Sequence, residues 1–167
     1  MNSKQVAGGI SLIVLLAILA YPALSTGTVA VSLRSLVNVT ADHVYVTVRD
    51  VWAHQNGQSQ SQGWKLLTNI SRTVDLVSLR NVPLLISGQM PVGSYDSIRA
   101  DFANVTLVSR GTSTAMQLDS GRLSYNVDFR VQAGKSLPLT MTLGGQILQG
   151  QKVFSMTLNV VSSVESS

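Results

Sequence analysis

The chain has no cysteine. That excludes thiolate metal sites, cysteine nucleophiles, disulfide stapling and a lipidated cysteine as a membrane anchor. Stability must come from the size of the core, and 167 residues suffice for one domain with a real interior. Charge is also scarce, at 12% of residues, with eight acidic side chains and two histidines. The net charge of +4 is spread singly. No basic run interleaves with aromatics, so a nucleic-acid partner finds no footprint. Aromatics make up 5%. No helical amphipathic stretch, internal repeat or low-complexity segment stands out, apart from a polar tail at Ser162–Ser167.

What is present is alternation. Arg122–Val131 sets Leu123, Tyr125, Val127, Phe129 and Val131 against Ser124, Asn126, Asp128 and Arg130. A period of two over that length describes a strand with one dry face and one wet face. Similar patterns recur at Thr28–Leu33, His43–Trp52, Trp64–Leu67, Thr73–Leu79, Val82–Ser87, Tyr95–Phe102, Val105–Val108, Ala115–Leu118, Leu137–Leu143 and Val153–Val161. Thr73–Leu79 lacks a clean period of two and reads equally as a helical turn. Turn residues separate these segments at Asp42, Arg80-Asn81, Pro91–Gly93, Arg110-Gly111, Asp119–Gly121, Ala133-Gly134 and Gly144-Gly145. Gln55–Gly63 is a polar loop joining a hairpin. The expected fold is all-β: a Greek-key, prealbumin- or immunoglobulin-like β-sandwich of about seven to nine strands, preceded by an N-terminal apolar leader helix.

The leader divides the chain into residues 1–25 and a β-sandwich domain over 26–167. Lys4 precedes an apolar run from Val6 through Ala20, closed by Tyr21-Pro22-Ala23-Leu24-Ser25. A positive start, an apolar middle and small residues at Ala23 and Ser25 fit a secretory signal peptide cut after Ser25. Retention of residues 6–24 as a membrane anchor, or a pilin-type leader cut near Gln5, are the competing readings. Each of the three exports the domain to the cell surface or beyond.

Side chains suited to chemistry are few. Only His43 and His54 titrate near neutrality without a large shift. Asp50, His54, Ser59 and Ser61 spell a triad on paper. In a strand, however, positions 50 and 54 lie about 13 Å apart, and no G-x-S-x-G elbow accompanies them. Asp42-His43 offers only a fragment of a metal site, and no H-E-x-x-H, His cluster or Asp-rich loop occurs. The spread carboxylates single out no pair for glycoside hydrolysis. The expectation is therefore no enzyme activity, no metal and no cofactor.

Three sequons, at Asn38, Asn69 and Asn104, satisfy N-x-[ST] and are candidate N-glycosylation sites, provided each lies on the outer face. Trp52 and Trp64 flank the polar loop. Either they stack on a sugar, with Trp52 as ligand contact, or Trp64 anchors the core with Trp52 as its hairpin neighbour, which is preferred.

Trp64-Lys65-Leu66-Leu67, Val74-Asp75-Leu76-Val77-Ser78-Leu79 and Met90-Pro91-Val92-Gly93-Ser94-Tyr95-Asp96-Ser97-Ile98-Arg99 resemble the extracellular domain-of-unknown-function family 4382. The likeness extends over about residues 28–160. It continues into Arg122–Val131 and the Ala133-Gly134 turn, and departs at Thr40-Ala41-Asp42. The resemblance implies a prealbumin-like sandwich on exported prokaryotic proteins, with no assigned activity. Among the shared residues, Gly93 should relieve a turn, Tyr95 should pack its ring and bond a backbone carbonyl, and Arg99 should pair with Asp101 or Asp128.

The function expected is that of a non-enzymatic exported cell-surface or extracellular structural domain. It would serve an envelope layer, adhesion or a pilus-like filament. Self-assembly or contact with other envelope proteins would proceed by β-strand addition, in which Val29, Val31 and Leu33 fill pockets of a neighbour. The alternative is a carbohydrate- or small-ligand-binding module.

Overall fold

The computed structural model describes residues 25–148 and 151–162, so the leader and the end of the serine tail lie outside the described residues. Nine strands carry almost everything: β1 Thr26–Val37, β2 His43–Gln55, β3 Trp64–Asp75, β4 Leu84–Pro91, β5 Gly93–Ser109, β6 Thr112–Leu118, β7 Arg122–Val131, β8 Ser136–Ile147 and β9 Val153–Ser162. A 3-10 turn, Ser78–Arg80, stands between β3 and β4. No helix among the described residues is long and apolar enough to cross a membrane.

The strands form one sheet in the order β3-β2-β5-β6-β9-β8-β1-β4, with β7 alongside β5. The ends of this path come back together. At Gly88 of β4, an added Cβ would lie 1.8 Å from the Leu67 carbonyl oxygen of β3. The all-β expectation holds, but the arrangement is a nearly closed sheet rather than two detached Greek-key layers. The continuity runs through β6, which pairs antiparallel with β5 and parallel with β9.

Alternation puts valines and leucines of every strand into one interior. Val29, Val31 and Leu33 of β1 meet Val44, Val46 and Val48 of β2, Leu139, Met141 and Leu143 of β8, and Phe154 and Met156 of β9 in a single core. β5 is long enough to pair with β2 along its whole length, with β7 beside its first half and β6 beside its second. A bulge between these halves leaves Asn104 at φ 48°, a left-handed backbone that asparagine tolerates better than most residues. The β5–β6 hairpin turns on Arg110-Gly111, both at positive φ (48° and 76°). That is the pairing a two-residue hairpin turn requires.

Some boundaries differ from the sequence reading. β3 runs unbroken through the expected gap at 68–72, and the segment after it is the 3-10 turn. Asp75 makes that turn. Its carboxylate accepts bonds from the Val44 N–H (3.1 Å), the Val77 N–H (3.0 Å) and the Ser78 hydroxyl (2.6 Å). Leu76 and Leu79 can then both enter the core, which explains why this stretch has no period of two.

Tyr95 does what was expected of it. Its ring is 1% exposed and stacks on Phe129 with centroids 5.2 Å apart, while its hydroxyl donates to the Pro91 carbonyl at 2.8 Å. Tyr95→Phe should cost about 1–2 kcal/mol in urea unfolding, because the carbonyl loses its partner while the ring stack stays. Gly93 holds φ 158°, which L side chains rarely adopt.

Candidate functional site

Outside the core, one face of β3, β2 and β5 gathers the side chains with the most chemical character. The register sets His54 opposite Trp64, and Trp52 opposite both Leu66 and Arg99. Because Val51 and Ala53 point inward, Trp52 shares the opposite face with these partners. The Arg99 guanidinium carbon lies 4.4 Å from the Trp64 ring centroid and 5.3 Å from that of Trp52. It is therefore in cation–π range of both indoles. Neither tryptophan is a core anchor, contrary to the preferred reading of Trp64; both are half-buried on the outside of the sheet.

The arginine meets one of its two expected carboxylates, Asp101, in a loose ion pair. Its Nε stands 4.0 Å from Asp101, whereas Arg122 takes that carboxylate at 2.8 Å. Asp128 is no partner of Arg99 among the described ion pairs. Burial lowers the pKa of Arg99 and the nearby Arg122 lowers it further, while Asp101 opposes both. Trp52 Nε1 and Arg99 Nε are buried donors with no hydrogen-bond acceptor among the described atoms.

His54 lies under the loop 56–63. Its Nδ1 is 2.8 Å from the Asp96 carboxylate, and its Nε2 is 3.2 Å from the Ser59 carbonyl oxygen. Both neighbours only accept hydrogen bonds, so satisfying both requires a proton on each ring nitrogen. Burial is the largest influence and disfavours that cation. The bonds to Asp96 and Ser59, with the charge of Asp96, outweigh it and raise the pKa above the ordinary histidine value. The ring also tilts against Trp64, with centroids 5.1 Å apart. The clamp ties the loop to β5.

A raised folded-state pKa means that this stabilisation is fully present below pH about 6.5 and is lost as pH rises through the folded value. Stability measured by urea unfolding should therefore decline as pH rises from about 6.5 through the folded value in the native protein, and His54→Gln should flatten that slope. The opposite arm belongs to Asp75. Burial would raise its pKa, but the bonds from Ser78, His43, Val44 and Val77 hold it below the usual aspartate value. Its contribution is present above that usual value and is lost as pH falls through the folded one.

The residues that spelled a triad are not brought together. Asp50 accepts from Asn69 Nδ2 at 2.6 Å, and the Ser59 and Ser61 hydroxyls bond each other at 3.1 Å. His54 meets Ser59 through its carbonyl oxygen, not its hydroxyl. His43 pairs with Asp75 and stacks on Tyr45, while Asp42 accepts from the Arg110 N–H at 2.7 Å. Among the described residues, no group of three His, Asp or Glu side chains could hold a metal ion. Asp96, the real partner of His54, was missed. It is 42 residues away and nothing local marks it.

Asn38, Asn69 and Asn104 are all exposed: Asn38 just past β1, Asn69 on β3, Asn104 at the β5 bulge. Val29, Val31 and Leu33, by contrast, are at most 1% exposed. β1 is hydrogen-bonded on both sides within its own chain, antiparallel to β4 and parallel to β8. It is not a loose first strand, and strand addition through it requires exchange between copies.

Residues 26–145 match the family described as Domain of unknown function (DUF4382). No curated protein matches. Among solved structures, the chain is similar to a putative cell adhesion protein from Bacteroides fragilis, at 14% identity and a TM-score of 0.32. That likeness covers 86% of this chain and 47% of the other, so the chain spans about half the length of the structure it matches.

Proposed function

This chain belongs to the DUF4382 family, and from that premise we propose that it is a non-enzymatic domain exported to the cell surface, serving a structural or adhesive role there. What carries the non-enzymatic reading is the state of His54, the best-placed base in the sequence. Its ring is buried, and both nitrogens are engaged within the protein, by Asp96 and by the Ser59 carbonyl oxygen, so neither is presented to a substrate. Export rests on the leader at 1–25 and is compatible with three sequon asparagines that all face outward. The prealbumin-like sandwich remains a description of the family's expected shape.

The test is the intact mass of the protein recovered from its native envelope. A chain starting near Thr26, the first residue of β1, is expected in the envelope or medium. A full-length chain confined to the cytosol would refute the reading. Mass increments of hexose size would assign the sequons in the same spectrum.

A second reading is favoured by one observation: two indoles and a guanidinium share an outer sheet face beside Leu66, which is 44% exposed. Aromatic faces with adjacent donors suit a carbohydrate or other small ligand. A glycan array should then give hits that Trp52→Ala removes, and an array with no hits would dismiss it.

A further inference from the structure

The other outer face, formed by β4, β1, β8 and β9, differs in kind. The register aligns Leu85, Ser32, Thr140 and Val161 in one row across the four strands, with Ser87, Ala30 and Pro138 in the next. Outward positions on these strands are threonine, serine, alanine, glutamine, asparagine, glycine, proline and a few larger apolar residues, and Arg34 is the one charged side chain among them. The outer face across the core carries Arg99, Asp101, Arg122 and Arg130 instead. An uncharged face costs less to take out of water than a charged one, and depletion of charge marks the core of a protein interface.

The face also has relief. Small Ala30 and Ser32 on β1 form the floor of a trough of about 280 Å³, lined by Leu85 and Ser87 on one side and Pro138 and Thr140 on the other. Leu85 stands beside this trough and is 76% exposed, and Val161 in the same row is 59% exposed. A knob next to a hole on one surface is self-complementary under a two-fold axis.

We propose that this face binds a second copy of the same chain, with Leu85 of each copy seated in the Ala30–Ser32 trough of the other. The size is sufficient. Four strands at about 4.8 Å spacing and about ten residues at 3.3 Å each give a face of roughly 600 Å² per copy, so contact over its whole extent buries at most about 1,200 Å² in total, at the lower edge of stable interfaces. Packing sheet on sheet in this way uses neither β1 exchange nor the Trp52 face, and it stands whether or not the export reading does.

Sedimentation of the full chain over a concentration series tests it. The expected result is a monomer–dimer equilibrium that Leu85→Lys and Ser32→Lys each weaken by about a hundredfold, since each buries an unpaired charge. Arg122→Ser, on the other face, should leave it unchanged. Unaltered thermal melts would show that the variants still fold. Monomer at every concentration overturns the proposal. So does a dimer that survives both lysine variants, as assembly through residues 6–24 would, or a face that remains monomeric but retains a polysaccharide lost in Leu85→Lys.

Discussion

Gly88→Ala should lower the unfolding free energy by about 3 kcal/mol or more, an unusually large effect for one methyl group. The added Cβ would stand 1.8 Å from the Leu67 carbonyl oxygen and 2.8 Å from its carbon. These are backbone atoms of another strand, so no side-chain rotation relieves the clash. Either β3 or β4 must move outward where the two ends of the sheet approach, and Leu67 and Met90, both buried near this point, would lose packing. Urea unfolding of the variant provides the measurement, with Gly57→Ala as comparison. A methyl added at Gly57 would meet nothing within 4 Å, but φ there is 80°, so that change should cost only about 1 kcal/mol. A Gly88→Ala midpoint equal to that of Gly57→Ala would mean that the close approach of β3 and β4 is not maintained in solution.

Removing β1 should have the largest effect of all. Deletion of Thr26–Val37 takes out a strand that is paired on both sides and contributes Val29, Val31 and Leu33 to the core. Burying three such side chains is worth about 2 kcal/mol each, which together rivals the whole stability of a typical domain. The truncated protein should show no cooperative melt. A synthetic Thr26–Val37 peptide added in trans should restore it, because the gap between β4 and β8 supplies both rows of backbone partners. A peptide carrying Val31→Asp should fail, since it places a carboxylate in the core. Restoration by the native peptide would make exchange of β1 between copies physically feasible as a route to assembly. A truncated protein that still melts cooperatively without peptide would show that β1 is dispensable, contrary to its place in the sheet.

These two expectations also separate what was legible in the sequence from what was not. The strand character of Arg122–Val131, the inward set Leu137, Leu139, Met141 and Leu143, and the corner role of Tyr95 were readable because each depends on local spacing. Side chains alternate across a strand whatever its neighbours are, so a period of two announces strand and faces together. The leader pattern is local in the same sense, with charge, apolar run and small residues all within 25 positions.

Pairing is a different kind of information. Nothing around Thr28–Leu33 says that β1 lies parallel to β8, over a hundred residues later, or that it is sealed between two strands instead of waiting for a partner. The Trp52–Arg99–Trp64 stack, the Asp96 partner of His54 and the close approach at Gly88 all arise between strands that alternation describes identically. The sequence by itself determined an all-β domain with its dry faces marked. Only the tertiary structure decided which faces meet and which edges close, because many pairings satisfy the same local pattern and the choice among them is made by the packing of the whole core.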